Sequence, residues 1–174
     1  MRKATLLTAM ILLASLPALA QSPHYTYVEA GWLQVDPDGS SSEDGWFAGG
    51  SVGVASFQFF AEYGDLGDAE VWQAGGGWHG ILGERADLVA EAAFIDLDSE
   101  DGFKVTGGVR WMITQRLEVN GFVNYLDVGS DDDTSIEVNG IWNLAKRFAV
   151  GAGYEAGDEL NWIRAFVRFN LGSK

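Results

Sequence analysis

Between residues 44 and 65 the chain alternates two kinds of side chain, and that alternation limits what it can fold into. The stretch DGWFAGGSVGVASFQFFAEYGD reads as two strands folded back at Ala55 and Ser56. Successive side chains of a strand point to opposite faces. One face carries Trp46, Ala48, Gly50, Val52, Val54, Phe57, Phe59, Ala61 and Tyr63. The other carries Phe47, Gly49, Ser51, Gly53, Gln58, Phe60 and Glu62. The first is apolar throughout; the second mixes small, polar and charged groups with two aromatics. A soluble sheet would bury the first face in a core. A membrane barrel turns it to lipid and points the second into the lumen.

The rest of the chain repeats the pattern. A first strand over 24–35 sets Val28, Ala30 and Trp32 against Glu29 and Leu33. Further strands are expected over 70–80, 86–96, 102–112, 117–127, 134–144, 147–155 and 160–171. With the opening hairpin these make ten, each near the roughly 9–11 residues that cross a bilayer as a tilted strand. Eight, with one hairpin miscounted, is the alternative. No stretch of the mature chain has the periodicity of a soluble helix.

Three features favour lipid outside the barrel. Every tryptophan except Trp162 falls on the apolar face. Trp46, Tyr63, Trp72, Trp78, Trp111, Tyr125, Trp142 and Tyr154 lie near strand ends, as the aromatic girdles of a membrane barrel do. Charges within the strands lie on the opposite face, the reverse of a lipocalin-like soluble barrel. Connections after the odd-numbered strands read as long and acidic, the others as short, which fits extracellular loops and periplasmic turns. The expected fold is therefore all-β: a transmembrane antiparallel up-and-down barrel.

Arg2 and Lys3, the apolar run 4–16 and Ala18-Leu19-Ala20 form a signal peptide over 1–20. The run is too short to span a bilayer, and the small residues make a cleavage site. The barrel then occupies 21–174, exported to the cell outer membrane. There are no cysteines, so no disulfide scaffold is available. A formal charge of −14 argues against nucleic acid as a partner.

Tyr25, Tyr27, Val28, Glu29 and Gly31, followed by Asp44-Gly45-Trp46 and Gly50-Ser51-Val52, resemble the small outer-membrane barrel family described as the activator of XA-mediated immunity. The resemblance covers about residues 25–63; beyond it the alternation is similar to any small barrel, including the OmpA type. It implies a membrane-embedded barrel and no agreed activity. The usual outer-membrane chain ends on an aromatic, whereas here Phe169-Asn170-Leu171 precedes Gly172-Ser173-Lys174. Recognition by the barrel-assembly machinery would rest on Phe169 and Leu171.

Two constellations could carry function. The mixed face gathers Glu29, Glu62, Glu91, Lys104, Arg110, Glu118, Glu137, Arg164 and Arg168 in the lumen, with Asp87, Glu155 and His79. Buried charges of both signs must pair or be hydrated. Arg164 or Arg168 is expected to reach Glu29, and Arg110 and Lys104 to lie near Glu118. The acidic connections hold Asp36 and Asp38, and Asp131, Asp132 and Asp133, among other carboxylates, and no base. Such oxygens suit loosely bound Ca²⁺ or Mg²⁺ bridging to lipopolysaccharide, although no full calcium loop is present. No cofactor is implied otherwise. His24 and His79 have no recognisable serine partner, so a nucleophilic enzyme is not expected. The reading is a monomeric barrel with a charge-plugged lumen and a structural or surface-interaction role. The alternatives are a narrow diffusion channel and, third, a lipid-modifying barrel enzyme.

Overall fold

The computed structural model describes residues 23–37, 41–67, 69–158 and 160–171. The expected signal peptide, Asp38, Asp68, Glu159 and the tail Gly172-Ser173-Lys174 lie outside the described residues.

Ten strands follow one another: β1 (Tyr27–Pro37), β2 (Glu43–Val54), β3 (Phe57–Asp65), β4 (Glu70–Ile81), β5 (Ala86–Leu97), β6 (Glu100–Met112), β7 (Leu117–Val128), β8 (Asp131–Asn143), β9 (Phe148–Ala156) and β10 (Leu160–Asn170). Each pairs antiparallel with its sequence neighbours, and β10 returns to β1 to close the barrel. Closure removes the sheet edges, so the ladder groups find partners inside a bilayer, where water could not supply them. The ten-strand expectation holds, and the eight-strand alternative does not.

Alternation along each strand separates the two faces. Val52, Phe59, Val105, Val123, Ile136 and Val167 point outward and are exposed. Toward the end that carries both termini, Phe57, Trp78, Trp111 and Trp142 stand on the outer surface. Toward the distal end stand Trp32, Trp46, Trp72, Tyr125 and Tyr154, with ring contacts at 5.6 Å between Trp46 and Tyr63 and 5.2 Å between Trp72 and Phe94.

Three boundaries differ from the sequence expectation. β1 begins at Tyr27 rather than near His24, because Tyr25 leaves the wall and enters the lumen. The expected loop over 128–133 is mostly ladder, with Asp127 opposite Asp132 and Val128 opposite Asp131. β6 likewise starts at Glu100, and a two-residue turn at Asp98 and Ser99 has φ of 52° and 72°. Consecutive positive φ values match the twist of a tight hairpin. The expected alternation of long and short connections is therefore absent: 98–99 and 129–130 at the distal end are shorter than 82–85, 113–116 and 144–147 at the other. Acidic side chains suggest loops, but paired backbones accept them: Glu100, Asp101 and Asp132 are exposed, and Asp133 is buried with a backbone N–H as its partner.

Gly31 shows how tight the closing seam is. A Cβ there would meet Ala165 O and come within 2.7 and 2.8 Å of Phe166 Cα and Cβ. Gly31→Ala should cost about 1–3 kcal/mol through overpacking. A lowered urea midpoint of the folded barrel checks this, and an unchanged midpoint would show that the seam can yield.

Candidate functional site

The lumen is built in three tiers, each from inward positions of successive strands. The middle tier is polar. Arg110 and Glu118 form an ion pair at 2.6 Å, both nearly fully buried, with Arg110 Nε donating to the same oxygen at 2.9 Å. Arg168 pairs with Glu29 at 2.6 Å across the β1–β10 seam, and its guanidinium lies 3.8 Å from the Tyr27 ring centroid. Arg164 reaches Glu62 at 3.4 Å, and Lys104 reaches Glu155 at 3.2 Å. Lys104 thus does not join Glu118, as the sequence suggested. Glu118 lies opposite Met112 at the termini end of β6, next to Arg110, whereas Lys104 projects nearer the distal end. Glu91 accepts from Gln58, and Glu137 accepts from Asn139 Nδ2 at 2.7 Å and Asn124 Nδ2 at 3.3 Å.

These groups surround a cavity of about 140 Å³. That is on the order of ten times the roughly 10–15 Å³ that one water needs. Glu29, Glu62, Glu91, Lys104, Arg110, Glu137, Arg164 and Arg168 all line it.

The termini end is closed by the segment before β1. Tyr25 crosses the lumen and stacks on His79, ring centroids 3.7 Å apart and 7° from parallel. Its hydroxyl donates to Asp87 Oδ2 at 2.9 Å. Arg110 covers the ring at 4.4 Å and donates from Nη2 to His24 O at 3.0 Å. Burial pushes the Tyr25 phenol well above its usual range, so it remains a donor to Asp87. Tyr25 shares the inward parity of Tyr27 and Glu29, which gives its face but not its partners across the lumen.

The distal end is closed differently. Leu33, Val35, Phe47, Val71, Ile95 and Val128 point inward and are buried, with Leu66 from the β3–β4 connection. Leu97, Leu126, Leu160 and Trp162 pack against them. Phe166 continues the cluster down one wall, edge-on to Phe47 at 6.3 Å. Removing these side chains from a wettable lumen contributes about 1.5–3 kcal/mol each when burial is complete. The sequence reading placed Leu33 and Phe47 on the mixed face but saw no apolar closure. Its signal is that inward positions turn apolar toward the acidic ends of β1, β2, β4, β5, β7 and β10, while β8 and β9 keep Asp133, Ser135 and Glu155 there.

Of the expected cation ligands at the acidic end, Asp38 and the Asp131 side chain lie outside the described residues. Asp36 is exposed and accepts from Ser42 Oγ at 2.8 Å. Asp132 is exposed. Asp133 is buried and accepts the Asp158 backbone N–H at 2.9 Å, so its carboxylate holds the β9–β10 connection. Among the described residues no group of three or more His, Cys, Asp or Glu side chains is placed to hold a metal ion. Glu155, expected among the lumenal acids, faces the lumen and pairs with Lys104.

No family model matches the chain, and no curated protein matches it. Among solved structures, the KdgM porin superposes with a TM-score of 0.56 at 9% identity, covering 83% of this chain and 99% of that one. The KdgM porin in complex with disordered oligogalacturonate gives 0.54 at 9% identity, covering 86% and 100%. Ail, the attachment invasion locus protein of Yersinia pestis, gives 0.39 at 13% identity, covering 84% and 99%. The fold is that of a small outer-membrane β-barrel of porin-like architecture. At these identities the likeness concerns the fold alone.

Proposed function

We propose that the chain is a narrow porin-like barrel of the outer membrane, represented here in a closed form. The observation that carries this reading is the unfilled polar chamber. A small barrel kept only for structure can fill its interior with side chains, and this one leaves a space of about 140 Å³ lined by charges. Inward carboxylates outnumber Lys104, Arg110, Arg164 and Arg168, so the lumen favours cations. A polyanion such as the oligogalacturonate bound to the KdgM porin would be opposed by these charges.

The closures act in series: Tyr25 at the termini end and the apolar tier at the distal end, where a dry constriction resists ion passage. The termini end faces the periplasm, after removal of residues 1–20, and the acidic end faces lipopolysaccharide. The barrel-assembly machinery recognises Phe169 and Leu171, and the barrel is a monomer. The likeness of residues 25–63 to the immunity-activator family is compatible with this and assigns no activity.

Planar-bilayer conductance of refolded protein tests the reading. Wild type is expected to be nearly silent, and Tyr25→Ala combined with Leu66→Ala to give steady openings, a severalfold rise in current. A folded double variant that stays silent would support the second reading, a structural or surface-interaction barrel, which the packed apolar tier favours.

A further inference from the structure

We propose that the chamber binds a monovalent inorganic cation, sodium or potassium, between Glu91 and Glu137. The pairing pattern inside the lumen carries this. Each lumenal base already has its own carboxylate: Lys104 with Glu155, Arg110 with Glu118, Arg164 with Glu62 and Arg168 with Glu29. Glu91 and Glu137 face the same chamber. Among the described residues their hydrogen bonds come only from the neutral amides of Gln58, Asn124 and Asn139, and neither has a base within ion-pair distance. An ionised carboxylate away from bulk water needs a counter-charge or a proton.

A second observation points the same way. Ser51 and Asn120 line the chamber at 3% and 4% exposure. Ser51 Oγ and Asn120 Oδ1 have no hydrogen-bond partner in the protein. These oxygens and the two carboxylates line one chamber, and all are hard ligands. The oxygens of two carboxylates fall short of the roughly six to eight that Ca²⁺ takes, so the ligand count favours a monovalent ion whose shell water completes.

The site stands on these lumenal side chains; its role in selecting permeant ions rests on the porin-like reading. The test refolds wild type and Glu91→Gln/Glu137→Gln into neutral liposomes. Urea midpoints are compared in NaCl, KCl, CaCl₂ and N-methylglucamine chloride at equal ionic strength. Sodium or potassium should raise the wild-type midpoint over the bulky cation, and the double variant should lose that shift. Equal wild-type midpoints in all salts overturn the site and mean that the carboxyls are protonated. A rise with calcium alone overturns the monovalent assignment. If the double variant does not fold, Glu137→Gln alone decides: retention of the full shift overturns the proposal. Reversal potentials across a KCl gradient, read in the Tyr25→Ala/Leu66→Ala background, separate the two readings. A sodium- or potassium-dependent midpoint without any current leaves the cation site standing and removes the channel. Current without a midpoint shift, its cation preference unchanged by the glutamines, removes the site and leaves the channel.

Discussion

Replacing Arg110 by alanine is expected to cost the barrel about 3–5 kcal/mol, the effect of stripping one partner from a buried ion pair. The side chain acts at three places. It neutralises Glu118, whose carboxylate is 3% exposed and would be left buried without its counter-charge. It covers the Tyr25 ring and holds the His24 carbonyl, so it fastens the entering segment to β6. Its loss should therefore loosen the closure at the termini end as well as lower stability. Urea titration in liposomes, followed by tryptophan fluorescence, measures the first effect. Conductance in the Leu66→Ala background measures the second. Arg110→Ala/Glu118→Ala should recover part of the stability, because it removes the orphaned charge. A double variant as unstable as the single one would show that the contacts to Tyr25 and His24, rather than the ion pair, dominate.

Much of this architecture is legible in the sequence, for a physical reason. A membrane strand is exposed to two solvents, lipid and lumen, and a period of two sorts side chains between them. That sorting made the faces of Trp46, Phe59, Leu88 and Val123 readable, and with them the strand count. It also brings Arg164 or Arg168 to Glu29, since closure must put β10 against β1, and the register selects Arg168. Which carboxylate each base chooses was less legible. Parity gives the face, while the level along the axis depends on register, and that sent Lys104 to Glu155 instead of Glu118. Connection lengths were misjudged because acidic residues suggest loops, although Asp131, Asp132 and Asp133 extend a ladder. The apolar distal tier escaped notice because Leu33, Val35 and Ile95 look like ordinary strand residues unless their inward parity is weighed by position. Tyr25 falls inside the strand expected over 24–35, and its contact with His79 and Asp87 on the far wall cannot be read from neighbours in sequence.

Val123→Arg should be comparably severe on the other face. Val123 stands mid-strand on β7, opposite Gly107 and Ile136, and is 56% exposed on the outer surface. Nothing lies within 4 Å of where a Cβ would sit on Gly107 or Gly121, so the wall beside Val123 is open to lipid on that side. An arginine near the bilayer midplane costs about 2–4 kcal/mol on the lipid face of a barrel. Snorkelling toward Tyr125 would recover some of this, because long cationic side chains reach for the interface. Folding into liposomes, read as the shift in gel mobility between unheated and boiled protein, should fall sharply, and Val123→Leu should fold as wild type does. Normal folding of Val123→Arg would mean that β7 has the opposite phase and that Asn120 and Asn124 face lipid. The Arg110 and Val123 substitutions probe the alternation from its two sides. Removing a base destabilises only where the base faces inward, and adding one destabilises only where the residue faces lipid. A one-residue slip of any strand would exchange those outcomes.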